Sequence, residues 1–124
     1  MSSNLQRFAS DLPFPFAKAV RAGDFLFLSG QVSMSPDGKP LYGSVTDQSE
    51  NIMQSIAKTL KECGSDMDSI VKVTVWLSDM KHFAEFNQVY ATYFKHGYPA
   101  RSAISCELVM GLDVEVEVQA MIKK

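Results

Sequence analysis

Two short stretches of this 124-residue chain hold the side chains best suited to chemistry. In "YPARSAISCEL" (98–108), Arg101 opens what otherwise reads as a half-buried strand. A guanidinium there is either a solvated strand end or the charged floor of a pocket. In "DVEVEVQAMI" (113–122), Glu115 and Glu117 recur with period two along one side of a second strand. Ser29 lacks the means to act as a nucleophile, because no base is spaced to activate it and the Gly-x-Ser-x-Gly elbow is missing. His82 and His96 lie at helix ends with no third ligand in view, so no metal site is expected. Cys63 and Cys106 show no C-x-x-C spacing and fall on apolar sides, which predicts two free thiols in the core.

The elements that must position these groups are short and punctuated by glycine and proline, with no repeat, low-complexity tract or linker. "AKAVRA" (17–22) and "FLFLSGQV" (25–32) flank Gly23-Asp24 and predict a hairpin. The stretch 33–43, with Pro36, Asp37, Gly38 and Pro40, reads as a surface loop. Ile52, Ile56, Leu60 and Cys63 then recur at helical spacing between an expected Asp47 cap and a stopping Gly64. "IVKVTVWL" (70–77) alternates, with Val71, Val73, Val75 and Leu77 on one side and Trp76 on the other. Asp79 is the expected cap of a second helix whose Phe83, Phe86, Tyr90 and Phe94 share a face, and Gly97 with Pro99 ends it. The order β-β-α-β-α-β-β describes one α+β domain over residues 1–124, a mixed sheet with two helices on one face.

The other face of that sheet needs an occupant. In 101–108, Ser102, Ile104, Cys106 and Leu108 form the expected apolar side, and Arg101, Ala103, Ser105 and Glu107 the other. In 113–120, Val114, Val116, Val118 and Ala120 oppose Glu115, Glu117 and Gln119. Arg101 and Glu115 are thus expected together on a polar face, turned to water or to another subunit. A hairpin centred on Gly111 would set Glu115 against Glu107, two carboxylates abreast, unless the register differs or a cation compensates them. Trp76 is expected at a subunit interface.

Twelve basic residues against fourteen acidic ones leave a net charge of −2, so no overall field draws the chain to phosphate backbones, and nucleic acid is not an expected partner. No apolar run nears the roughly 20 residues that cross a bilayer. "MSSNLQRFASDLPF" lacks the charged-then-apolar order of a secretory signal. No membrane association and a cytoplasmic location are expected.

In order and spacing, "LSGQV" (28–32), "GSDMDSIVKVTVWLSDMKHFAEFNQVYATYF" (64–94), "PARSA" (99–103) and "VEVEVQA" (114–120) resemble the reactive intermediate deaminase family, also called RidA or YjgF. The resemblance runs from about Pro15 to the C-terminus. It implies a chorismate-mutase-like fold assembled as a homotrimer, with three ligand clefts between neighbouring subunits. It also implies hydrolysis of reactive 2-enamino and 2-imino acids, such as 2-aminoacrylate and 2-iminopropanoate, to 2-keto acids and ammonia, without cofactor or metal. Such substrates are released by enzymes that use pyridoxal phosphate, which the reaction protects.

By the same resemblance Arg101 is the carboxylate-binding arginine, a planar fork of donors that lysine cannot match. Glu115 matches the glutamate that positions or activates water, a role favoured if partial desolvation raises its pKa. Ser29, Asn87 and the backbone N–H of Ala103 match substrate-binding positions of the cleft, where Phe16 replaces the tyrosine of many members. Ala103 stands where cysteine is frequent, and "LVMGLD" (108–113) replaces the usual Leu-Pro. A second function class fits the same residues: a non-catalytic trimeric module binding a 2-keto acid or an amino-acid-like metabolite. The missing Phe16 hydroxyl and cysteine favour it slightly. RNA cleavage, attached to some relatives, fits poorly with the acidic balance and the lack of a basic, aromatic-rich strip.

Overall fold

A computed structural model describes residues 5–123. The elements are β1 (Leu5–Ala9), β2 (Ala17–Ala22), β3 (Phe25–Leu28), β4 (Gln31–Val32), α1 (Val45–Glu62), β5 (Ile70–Leu77), α2 (Phe83–Ala91), β6 (Ala100–Ser105) and β7 (Val114–Met121). They form one seven-stranded sheet in the order β1-β2-β3-β7-β5-β6, with β4 also pairing β7. Every pairing is antiparallel except β5 with β6, so the sheet is mixed and the class is α+β, as the pattern of the sequence predicts.

Two strands go beyond that pattern. β1 is short and mostly exposed, and it is held by its ladder to β2, with Leu5 opposite Ala22. The run 25–32 is split because Phe27 pairs Gln119 while Gln31 pairs Val116, four steps on one strand against three on the other. The extra residue is a bulge at Leu28-Ser29-Gly30, which re-aims the chain beside Glu115.

β7 is central, with neighbours along both edges, and its alternation sorts the two faces of the sheet. Val114, Val116, Val118 and Ala120 are at most 1% exposed and share one core with Ile52, Met53, Ile56 and Leu60 of α1 and Phe86 of α2. Both helices therefore cover this side. Val73, Val75 and Leu77 of β5 join it, whereas Val71 is turned out by a register shift between Ile70 and Lys72.

The helix ends differ from expectation by one turn. Ser44 caps α1, its Oγ accepting from the Asp47 N–H at 3.0 Å, so Asp47 lies inside the first turn, where its charge complements the helix dipole. Asp79 caps a 3-10 turn over 80–82 by accepting from the Lys81 N–H at 2.8 Å, and α2 proper starts at Phe83. Phe86, Tyr90 and Phe94 are buried, but Phe83 is exposed. Of the two thiols expected in the core, Cys63 is buried and Cys106 is exposed, because Cys106 lies just past the end of an edge strand.

One buried side chain ties the start of α1 to the start of β7. Gln48 donates from Nε2 to Gly43 O and to Asp113 Oδ2, both at 3.1 Å, and its Oε1 accepts from the Asp113 N–H at 2.9 Å. Gln48→Ala leaves these groups without partners and is expected to cost about 2–4 kcal/mol in urea denaturation. A loss too small to measure would show that water replaces the amide without penalty.

Candidate functional site

β6 lies parallel to β5 with Arg101 beside Val73 and Ala103 beside Val75. Those valines face the helices, so Arg101 and Ala103 do too, while Ser102 and Ile104 are exposed on the bare side. This reverses the sides assigned to β6 from its sequence. The physical reason is α2, which crosses over β6 with a ring-bearing face on which a guanidinium can rest.

The Arg101 guanidinium carbon lies 4.9 Å from the ring centroid of Tyr90 and 5.4 Å from that of Phe83, a cation–π arrangement suited to a planar, weakly hydrated ion. Its Nη1 donates to Asn87 Oδ1 at 2.7 Å. Among the described residues no carboxylate pairs with it. Burial pushes the Tyr90 hydroxyl up to about 12, against the pull of Arg101, so it stays neutral. A cleft of about 290 Å³ opens here, lined by Asn87, Tyr90, Ala91, Tyr98, Pro99 and Arg101. The Cys106 N–H donates to Leu77 O on β5. Strand alternation therefore points the N–H of Ala103 away from β5, toward the free edge beside Arg101.

Glu115 occupies the other face. It lies opposite Trp76 of β5 and Val32 of β4. Gly30 makes room for it, since a Cβ at that position would collide with Glu115 Oε2. Burial pushes the Glu115 carboxyl above its ordinary range, and the neighbouring Glu117 charge adds to the rise. Ser29 sits on the same bulge, but its Oγ donates to Ala17 O at 2.7 Å and so joins β2 to β3. Phe16, just before β2, is exposed and stacked on Phe14 with centroids 6.1 Å apart.

The expected site residues thus fall into two groups. Arg101, Ala103 and Asn87 stand at the β6 edge, and Glu115, Ser29 and Phe16 stand with the bulge near β7. Neither the shared polar face nor the Glu115–Glu107 pairing exists within the chain. β6 and β7 each pair with β5 and not with each other, and Glu107 lies beyond the end of β6. The aromatic platform under Arg101 was visible in the sequence only as a helix face, and the close approach of Gly30 to Glu115 only as the glycine of "LSGQV".

A family model described as Endoribonuclease L-PSP matches residues 9–123. The chain belongs to this family, the YjgF/RidA family. Similar YjgF/RidA proteins include Protein MMF1, mitochondrial, of Saccharomyces cerevisiae, 43% identical over 109 residues that cover 87% of this chain and 75% of that protein. The mouse 2-iminobutanoate/2-iminopropanoate deaminase is 35% identical over 109 residues, covering 86% of this chain and 81% of the relative. The crystal structure of yeast Mmf1 superposes with a TM-score of 0.85 at 41% identity, over 98% of this chain and 96% of that one.

The Glu115 environment has a consequence for stability. A carboxyl whose pKa is raised on folding binds its proton more tightly folded than unfolded, so it subtracts stability as pH rises past the ordinary glutamate value of about 4.3. Glu115→Gln lacks that subtraction. In urea denaturation the variant is expected to match wild type below that pH and to be the more stable at neutral pH. A wild type more stable at neutral pH would contradict the unpaired, desolvated carboxylate described here.

Proposed function

We infer that this chain is an enamine/imine deaminase working as a homotrimer, each cleft completed by two subunits. One subunit supplies Arg101, Asn87 and the Ala103 N–H, and its neighbour supplies Glu115, with Ser29 and Phe16 beside it. The observation that carries this reading is the placement of Arg101 and Glu115 on opposite faces of one sheet, each with bonding capacity unmet among the described residues. The bare face supports it further. Leu5, Phe25, Phe27, Ile104 and Met121, between 40% and 46% exposed there, are apolar side chains that a neighbouring subunit would cover. The name of the mouse relative gives the reaction and the substrate class.

In the proposed reaction Arg101 and the Ala103 N–H grip the substrate carboxylate. Water held by Glu115 adds to the imine carbon, its proton passing to the carboxylate while the C–N π pair moves to nitrogen. Glu115 passes that proton on to the nitrogen, giving a carbinolamine; its hydroxyl proton then moves to the amine through the same carboxylate as the C–N bond breaks, releasing ammonia and the 2-keto acid. An enamine first tautomerises to the imine. A raised pKa suits a carboxyl that must both accept and return a proton. The demand is modest, since positioning alone lowers the barrier of a reaction that proceeds unaided. The proposal invokes no cofactor, metal or nucleic acid, and it includes a cytoplasmic location and the protection of enzymes that use pyridoxal phosphate. Among the described residues no helix is long and apolar enough to cross a membrane. A non-catalytic binding module is the alternative; it is favoured by the Ser29 hydroxyl being engaged with Ala17 O and by Phe16 having none, which leaves Glu115 alone to handle water.

The test generates 2-iminopropanoate in situ with an amino-acid oxidase and traps the surviving imine with semicarbazide. Wild type is expected to speed loss of the imine, and Arg101→Ala to reduce kcat/KM about 100-fold, equivalent to about 2.7 kcal/mol of transition-state binding. No acceleration by wild type, together with thermal protection by 2-ketobutyrate that Arg101→Ala lacks, would favour the binding module instead. Light scattering is expected to give the mass of three 13.8 kDa chains, and a monomer would contradict the shared cleft.

A further inference from the structure

The cleft beside Arg101 is larger than the smallest imino acid needs. In one chain the concavity measures about 290 Å³, roughly the space of ten waters before a neighbouring subunit closes over it, whereas 2-iminopropanoate has only six non-hydrogen atoms, by its formula CH3–C(=NH)–COO⁻. The lining is also divided. Arg101 and Asn87 make one polar end, and Tyr90, Ala91, Tyr98 and Pro99 make the rest. The Tyr90 hydroxyl is buried, so what Tyr90 offers the cleft is its ring.

Tyr98 stands out among these residues because nothing in its own chain needs it exposed. It is 67% exposed, yet its ring lies nearly parallel to that of Tyr90, at 11° with centroids 6.4 Å apart, and 6.1 Å from that of Phe94. Gly97, at φ +119°, and Pro99 flank it. A large ring packed on one side and open on the other, next to a carboxylate-binding cation, is a surface for an apolar group attached near that carboxylate.

We propose that Tyr98 is a specificity-determining residue whose open ring face receives the substrate side chain, so that the preferred substrates are 2-imino acids with branched aliphatic or aromatic side chains. This rests on the deaminase reading above and narrows it. A methylene in an apolar pocket changes kcat/KM by about 10-fold or more, enough to rank substrates.

The experiment supplies the imines of alanine, leucine and phenylalanine from an amino-acid oxidase and measures kcat/KM by the semicarbazide trap. Wild type is expected to favour the leucine and phenylalanine imines over the alanine imine by about 10-fold or more. Tyr98→Ala is expected to collapse the leucine-to-alanine and phenylalanine-to-alanine ratios about 10-fold, with Tyr98→Phe restoring them. Ratios unchanged in Tyr98→Ala, or a wild type that favours the alanine imine, would overturn the assignment. If wild type consumes none of the three imines, the deaminase reading fails by itself, and thermal protection by pyruvate, 4-methyl-2-oxopentanoate and phenylpyruvate becomes the readout. Stronger protection by the two larger acids, lost in Tyr98→Ala, would still uphold the side-chain pocket; equal protection, or none, would overturn it.

Discussion

Side chains alternate along a β-strand, and in this sheet β5 stands between β6 and β7. Those two constraints put Arg101 against the helices and Glu115 on the bare face, two strands apart, a separation of about 10 Å across the ladder before the thickness of the sheet is added. No choice of rotamers brings them together in one chain. Among the described residues each is left in an incomplete environment, with Glu115 partly desolvated and uncompensated and Arg101 resting on rings with a single neutral hydrogen bond. Chemistry that used both groups would need the two copies that the proposed trimer supplies.

The surroundings of Arg101 keep its charge available. A carboxylate in the place of Asn87 would neutralise the guanidinium and occupy its fork. An amide oxygen takes one donor, on Nη1, and among the described residues leaves Nε and Nη2 unengaged, as the proposed carboxylate grip requires. Tyr90 and Phe83 supply the remaining attraction through their ring faces, which hold a cation without consuming its hydrogen bonds. α2 thus carries the anchor and the platform together, and its tie to α1 through Glu85, which accepts from both the Thr46 N–H and its hydroxyl, fixes where that platform stands. On the other face Gly30 has the complementary task of leaving space for a carboxylate that a side chain would displace.

Much of this was readable from residue order. The turn at Gly23-Asp24, the apolar stripe of α1 and the strict alternation of β7 each follow from a local period that the finished fold preserves. The sides of β6 were not readable. The expected apolar side rested on the alternation of Ser102, Ile104, Cys106 and Leu108, but β6 ends at Ser105, so Cys106 and Leu108 lie outside the strand and Ile104 faces the bare side. The true partner of β6 is β5, brought alongside in parallel by the α2 crossover, a non-local pairing that no short window encodes. The six candidate residues were therefore individually visible, and their division between two faces was not. The Ser44 cap was missed for a related reason: Ser44 and Asp47 are both good caps, and only the burial of Val45 selects the earlier one.

The measurement that bears most directly on the shared cleft is subunit complementation. Arg101→Ala and Glu115→Ala chains, each strongly impaired alone, are unfolded together, refolded and assayed for loss of imine. If one subunit lends the arginine and the next the glutamate, mixed trimers regain an intact cleft and the mixture recovers roughly a quarter of wild-type activity, the share expected for random assembly of a cyclic trimer. A mixture no more active than its two parents would place both groups in the same chain's site and contradict the account.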